Sequence, residues 1–496
     1  MTSLTARLYA KHPTYLLAEA EGRWGLIASL LGGTQAMQAR ASEYLPKFSA
    51  EDTEDWTARV NGAVLYAGFE DAIDTLTSLP FSEKVGLPEN TPPRLKLISN
   101  DADYEEQDLT SYADEVMRYS IAFGVSYILV DSPAVAPGTV ADAEESGIHP
   151  YFIHVKAQEL VDWEIEKDPK SGRKILSKIK IHTIDTQSID GVAQAVDKIT
   201  IWTRTEYEVY TRKQGESSDE GWSRTAGENR LGYIPLVPYY TNKVAFMRAK
   251  PPMLKVAELN LTHFQSNADQ RAIIHVARVP FLFARGLSEE QAEGNKTGQS
   301  PAIVIGPYKI VKATRGDADL KFVEHSGRSI GAGERDLQRL EQQMHYLGLV
   351  PMLDGPSYRS AREVDVGDQR DMSNLRSWVR GLRSALNRAF KIAADWAGVK
   401  LPADFSVTIY ENFGIPLRSQ EDVNVILQLL EKKNLQLSTA LKELKRRRFL
   451  SDDVKESEEV AASEKAAKEA AERIPQQPGP GNQQVGNNGV QGEAQQ

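Results

Sequence analysis

The sequence predicts a multidomain α+β fold, and three observations carry that prediction. An apolar helix face runs straight into a buried strand near residue 125. Short strands separated by polar, Gly-containing turns fill the region from about 150 to 240. Two helices then bracket a small β insert and give way to a longer helix.

Taken in order, the first hundred residues read as helices with a turn-rich exit, marked by Leu79-Pro80 and by Leu87-Pro88-Glu89-Asn90-Thr91-Pro92-Pro93. Leu109, Tyr112, Val116, Tyr119 and Phe123 recur at spacings of three and four, which puts them on one helix face, and Gly124 is the stop signal. Val125 to Asp131 follows as a buried strand that ends at Ser132-Pro133. Tyr151 to Val155, Ile175 to Ile181, Lys198 to Thr203 and Tyr207 to Arg212 read as strands of an antiparallel meander with one wet face. The proline-punctuated segment Ile234 to Tyr240 closes this half and is not expected to be helical.

A helix over 253–276 carries Leu254, Ala257, Leu261, Phe264, Ala268 and Ala272 on one face, with a polar face opposite. Strands are predicted around Pro280 to Ala284, Ala302 to Val311 and Leu320 to His325. A second helix bears Leu337, Leu340, Met344 and Leu347. Two prolines and a glycine in Leu349 to Ser357 must break it. From Met372 to Ala397 a three-four spacing persists over about seven turns, and Gly398 sits where a C-terminal cap belongs. A strand at Phe405 to Tyr410 and short helices at Ser419–Lys433 and Ser438–Arg448, each with a serine placed to cap, come next. The Gln-, Gly- and Pro-rich stretch beyond 470 lacks the apolar content to offset its ordering entropy and is expected to be a disordered tail.

Bulk properties narrow the function classes. With 496 residues the chain can bury more than one core. Its 41% hydrophobic and 26% charged residues are ordinary for a globular protein. The absence of cysteine removes disulfides, thiolate metal sites and thiol nucleophiles together. No apolar run approaches the ~20 residues a membrane span needs, and the amino terminus lacks a secretory pattern, so cytosolic synthesis without a membrane anchor is expected. The net charge of −10 runs against the basic balance of proteins that grip nucleic acid.

Catalytic motifs are missing. The segment Ser326 to Gly333 has no Lys-Ser or Lys-Thr pair to hold nucleotide phosphates and Mg²⁺, and reads as a flexible junction. His149 and His154 do not match zinc spacings, and no Gly-x-Ser-x-Gly turn exposes a serine. Asp52/Glu54 and Asp365/Asp368 read as helix-end charges rather than an acid/base couple. The basic run Lys442 to Arg448 suits a helix C-terminus and needs no ligand. No enzyme, cofactor or metal is expected.

Several local motifs, in their order, resemble the portal proteins of tailed bacteriophages, and within them a portal-like group of unassigned function. They are Tyr44-Leu45-Pro46, the helix–strand element Ala122 to Pro133, Glu258-Leu259-Asn260-Leu261-Thr262-His263-Phe264, Val279-Pro280, Ile305-Gly306-Pro307, Glu324-His325-Ser326-Gly327 and Met344-His345-Tyr346-Leu347-Gly348. The resemblance implies a portal-type subunit with a mixed α/β wing, a helical stem, a small α/β clip and a helical crown. In this sequence the first part of the wing would be 1–252, the stem helices 253–277 and 330–348, the clip 278–329, and the tunnel loop 349–366. The long helix and return to the wing would be 367–418, the crown 419–470 and the tail 471–496.

It further implies a structural, non-enzymatic ring of about twelve copies at one capsid vertex, through which DNA is packaged and ejected. Partners would be further copies of the chain, double-stranded DNA bound non-specifically in the lumen, terminase, the major capsid or scaffolding protein, and a head-tail adaptor. Its place would be the virion, and the host cytoplasm before assembly. An acidic subunit suits a conduit, because a strongly basic lumen would trap a polyanion through counterion release. Arg359 and Arg362 in the tunnel loop, with Lys309 and Lys312 in the clip, are the candidate phosphate contacts; intersubunit ion pairs or plain solubilising charges account for them equally well. Two other readings stay open: a non-viral helical scaffold or adaptor that never touches DNA, and an enzyme using the α+β half, which a deep pocket with converging polar groups would support.

Overall fold

The computed structural model describes residues 3–133, 147–169, 171–189, 191–216, 219–278, 281–285, 319–323, 328–347, 361–411, 420–432, 435–446, 449–450 and short pieces between 454 and 465. The chain divides into two units, Met1–Phe413 and Gly414–Gln496. The first is mixed α+β, as the sequence predicts.

Its helices are α1 (Leu4–Tyr9), α2 (Pro13–Glu21), α3 (Trp24–Leu31), α4 (Gly33–Ala39), α5 (Ala41–Tyr44), α6 (Thr53–Gly62), α7 (Gly68–Ser78), α8 (Pro93–Lys96), α9 (Leu109–Phe123), α10 (Leu254–Ala277), α11 (Arg328–Leu347) and α12 (Ala361–Ala397). Asp108 caps α9 by accepting from the Ser111 N–H, and Gly124 ends it at φ 91°. That left-handed turn delivers the chain into β1 (Val125–Asp131). A side chain at Gly124 would meet the Lys250 carbonyl carbon at 2.8 Å, so the turn also needs the residue without a Cβ.

β1 is the centre of a three-stranded antiparallel sheet, between β2 (Tyr151–Lys156) and β8 (Leu236–Tyr240). It is buried on both faces, which is why it reads as a continuous apolar run rather than an alternating one. On one face Phe152 meets Tyr112 of α9 and Phe390 of α12, at ring-centroid distances of 5.8 and 5.3 Å. On the other, Val125 and Tyr127 share a small space with Tyr15, Ala18 and Trp24. Gly398 ends α12 at φ 67°, in the capping role that its position predicts.

The second sheet is a five-stranded antiparallel meander of β3 (Leu160–Lys167), β4 (Lys174–Ile189), β5 (Val192–Thr203), β6 (Glu206–Lys213) and β7 (Ser223–Glu228). The short α1 is tied to it by charge at both ends. Asp219 accepts from the backbone N–H groups of Leu4 and Thr5 at 3.0 and 2.9 Å, and Lys180 donates to the carbonyls of Arg7 and Ala10 at 3.0 and 2.9 Å. These are the orphan groups that a helix leaves at its ends, met by side chains of the sign that the helix dipole favours. Two small ribbons complete the described strands: β9 (Lys243–Ala245) with β10 (Arg248–Ala249), and β11 (Phe281–Arg285) with β12 (Asp319–Val323).

Several expectations are corrected. The predicted strand at Phe405 to Tyr410 is a single bridge, Gly86 to Thr408. The long helix begins at Ala361, six residues before the expected start at 367, so residues 361–366 of the expected tunnel loop are helical. The segment Ser326 to Gly333 is not simply a junction, because α11 already runs from Arg328. The strand predicted around Ala302 to Val311 lies outside the described residues.

The second unit contains α13 (Gln420–Glu431) and α14 (Leu437–Arg446). Ser438 is the second residue of α14 rather than its cap. Ile426 and Ala440 are buried, while Val425, Leu427 and Leu429 are exposed.

Candidate functional site

Lys309, Lys312 and Arg359 lie outside the described residues, and Arg362 stands in the first turn of α12 with its side chain likewise outside them. What the structure does bring together is a set of the motif segments, around α10. Gln265 donates to the Tyr44 carbonyl at 2.8 Å. Arg59 of α6 donates to the Pro46 carbonyl at 3.0 Å, binds both carboxylate oxygens of Glu51 at 2.8 Å, and reaches Asp269 of α10 at 3.2 Å. The hydrogen bonds from Arg59 hold the Glu51 carboxyl down at about 2.

Asn260, 1% exposed, ties α10 to the start of α7. Its Oδ1 accepts from the Phe69 N–H at 2.9 Å and its Nδ2 donates to the Tyr66 carbonyl at 2.9 Å. Ala67, at the N-cap position of α7, offers no side-chain hydrogen bond, so Asn260 meets one of the orphan donors of α7 from another helix.

Along the seam between α10 and α11 the contacts are polar. His263, 2% exposed, places Nε2 3.2 Å from Glu341 Oε1. Ser266 lies 3.1 Å from Asp336, and Gln270 donates to the Ile330 carbonyl at 2.8 Å. Tyr66 OH is 3.1 Å from His345 Nε2. Gly333 lies against the Gln270 amide, which would have to shift to admit a Cβ there. The Glu258–Phe264 and Met344–Leu347 motif segments therefore face each other across one helix pair.

An open groove of about 710 Å³ runs along this pair, between Lys255, Glu258, Thr262, Arg339, Gln343 and Tyr346. A second, of about 570 Å³, carries Arg271, His275 and Arg278 along one edge and Glu51 and Asp55 along the other. Its mixed charge makes it unlike a phosphate cradle, which gathers donors of one sign.

One constellation has the form of a hydrolytic triad. His154 of β2 places Nδ1 3.0 Å from Glu115 of α9 and Nε2 3.3 Å from Ser126 Oγ of β1. The hydrogen bond with His154 lowers the Glu115 carboxyl below its ordinary range. Nucleophilic chemistry needs access, however, and Ser126 is 0% exposed in the middle strand of its sheet. The trio pins α9 to the β1–β2 pair. Its members are 28 and 39 residues apart in sequence, so no local spacing announces it.

Asp52 accepts from the Asp55 N–H at 2.8 Å and caps α6, as a helix-end carboxylate should. Among the described residues no group of three His, Asp or Glu side chains is arranged to hold a metal ion. Among them, too, no helix is long and apolar enough to cross a membrane.

The model of one family, described as a domain of unknown function (DUF4055), matches residues 252–397, the stretch from just before α10 to the last residue of α12. No curated protein matches the chain. Among solved structures, a chain from the virion of a native gene transfer agent particle is similar at 11% identity and TM-score 0.43, over 83% of this chain and 97% of that one. A chain from the neck of an empty gene transfer agent particle computed with C6 symmetry is similar at 12% identity and TM-score 0.41, over 82% and 97%. A third, from the neck of the native particle computed with C12 symmetry, has 12% identity and TM-score 0.39, over 76% and 88%.

Proposed function

We propose that this chain is the structural subunit of a portal-type ring at one capsid vertex, a conduit for DNA rather than an enzyme. The observation that carries the reading is the order α10, β11–β12 ribbon, α11, α12, on which the Tyr44–Pro46, Glu258–Phe264 and Met344–Leu347 motif segments converge. In this reading α10 and α11 are the stem, 278–329 the clip that receives terminase and later a head-tail adaptor, the part of 349–366 that precedes α12 the tunnel loop, and 419–470 the crown. Arg359, Arg362, Lys309 and Lys312 are its phosphate contacts.

The physics of a conduit fits the charge balance. With 69 acidic against 59 basic residues, the subunit lacks the cationic excess that converts counterion release into tight binding. A few cations along the path then guide the duplex without holding it.

Native mass spectrometry of the full chain tests the reading. A closed oligomer of about twelve 55.1 kDa chains is expected. Monomer or dimer at every concentration and salt would overturn it, and so would an open-ended series of sizes.

A further inference from the structure

The five-stranded sheet carries an arm that projects past its neighbours. β3 accompanies β4 only as far as Ile181, and β6 accompanies β5 only from Val196, yet the β4–β5 ladder continues to the Ile189–Val192 pair. The His182 N–H donates to the Glu159 carbonyl at 2.8 Å on the β3 side. Alternate residues of a strand turn their backbone groups to the same edge, so Ile184, Thr186 and Ser188 present theirs on that side too. Among the described residues the only group meeting them is the Asp185 carboxylate, which accepts from the Thr186 N–H at 2.8 Å.

Soluble proteins normally blunt such an edge with lysine, proline or a bulge. Residues 183–196 contain no Lys, Arg or Pro, and the β4–β5 register runs without a shift. Ile184 is 64% exposed and Val192 60%. A ribbon of two strands, apolar in part and wet on both faces, is marginal in water and gains from a third strand.

We infer that the arm is an assembly contact between copies of this chain, in which residues 183–188 of β4 add to the free edge of β7 in the next copy. The choice of a second copy follows from the strand order. The arm edge and β7 face opposite ways from one sheet, and β4 and β7 run antiparallel, so a neighbour set alongside brings its β7 to β4 in antiparallel sense. The contact joins two different surfaces and therefore repeats from copy to copy, as a ring needs, whereas arm-to-arm pairing would stop at a dimer. A stagger along the strands, as in sheared closed sheets, brings the two edges level. The inference rests on the ring reading above and assigns it an interface.

Because the chain has no cysteine, engineered thiols report this contact alone. In the full-length Thr186→Cys, Thr225→Cys double variant, mild oxidation should produce a ladder of disulfide-linked oligomers that collapses on reduction. Within one chain the two strands are three spacings apart, about 14 Å, beyond the ~7 Å that a disulfide spans. In parallel, Ile184→Lys with Ser188→Pro should reduce the assembled fraction at least tenfold by native mass, with an unchanged circular dichroism spectrum.

An assembled wild type with neither ladder nor response to those substitutions overturns the arm contact and leaves the ring reading standing. Dissociation without a ladder overturns β7 as the receiving edge, as does a dimer formed by Thr186→Cys alone. A wild type that never assembles overturns the ring reading and this contact with it.

Discussion

Asn260 accepts a hydrogen bond from the Phe69 N–H at 2.9 Å, so the first turn of α7 is capped by a side chain of α10 that lies 191 positions away in sequence. The same amide donates to the Tyr66 carbonyl, fixing both the chain entering α7 and α7 itself.

Asn260→Leu strands the buried Phe69 N–H, at about 1–3 kcal/mol, and removes the half-buried bond to the Tyr66 carbonyl. The thermal midpoint should fall by several degrees, and hydrogen exchange should quicken at the start of α7. An unchanged midpoint would contradict the capping role.

Glu51 gives a pH dependence with a definite sign. Its carboxyl lies at about 2 in the folded chain against an ordinary 4.5, so its stabilising contribution is complete above the ordinary value and is lost as pH falls toward the folded one. Arg59→Met removes the cause. The gap in thermal midpoint between wild type and variant should be widest near neutrality and narrow between about pH 4.5 and 2. A gap that is constant across that window counts against the assignment.

Two glycines in the left-handed region separate backbone strain from steric collision. Gly398→Ala, at φ 67° with open space around it, should cost about 1 kcal/mol. Gly124→Ala, at φ 91° against the Lys250 backbone, adds a collision that the backbone cannot relieve cheaply, and should reduce soluble yield as well as midpoint. Equal effects at the two sites would show that the approach of Lys250 to Gly124 is not needed.

The buried Glu115–His154–Ser126 trio makes the non-enzymatic reading testable. A fluorophosphonate that modifies activated serines should leave the intact mass of the protein unchanged, because no path reaches Ser126. Ser126→Ala should cost only about 1 kcal/mol, the net worth of a single hydrogen bond. An adduct on Ser126 would revive the enzyme reading.

Local signals in the sequence suffice where one stretch of chain decides the outcome. The α9–Gly124–β1 unit follows from apolar spacing and one left-handed glycine, and α12 ends at Gly398 for the same kind of reason. The Phe405–Tyr410 segment shows the limit of alternation: Val407 and Ile409 are buried, but alternation reports a covered face and says nothing about a partner strand. The second half of β3 and the far half of β4 carry no apolar alternation to read, because Glu164, Glu166, Thr186, Gln187 and Ser188 are exposed and are held by ladder bonds. Residues 361–371 are rich in charge and carry no apolar spacing, so only the resemblance sets a start for α12, at 367, six residues late.

The candidate site was legible in motif but not in geometry. Asn260 and His263 stand in a segment that the resemblance singled out, yet nothing local says that one caps α7 or that the other meets Glu341. His154 fails every zinc spacing and is held instead by Glu115 and Ser126, from two other elements.

The most direct test of the ring conduit is electron microscopy of the purified full-length chain with rotational averaging. The account predicts closed rings of about twelve subunits around an axial hole of at least ~20 Å, wide enough for duplex DNA given its groove dimensions. Particles without a central hole, or with one too narrow for a duplex, would contradict it.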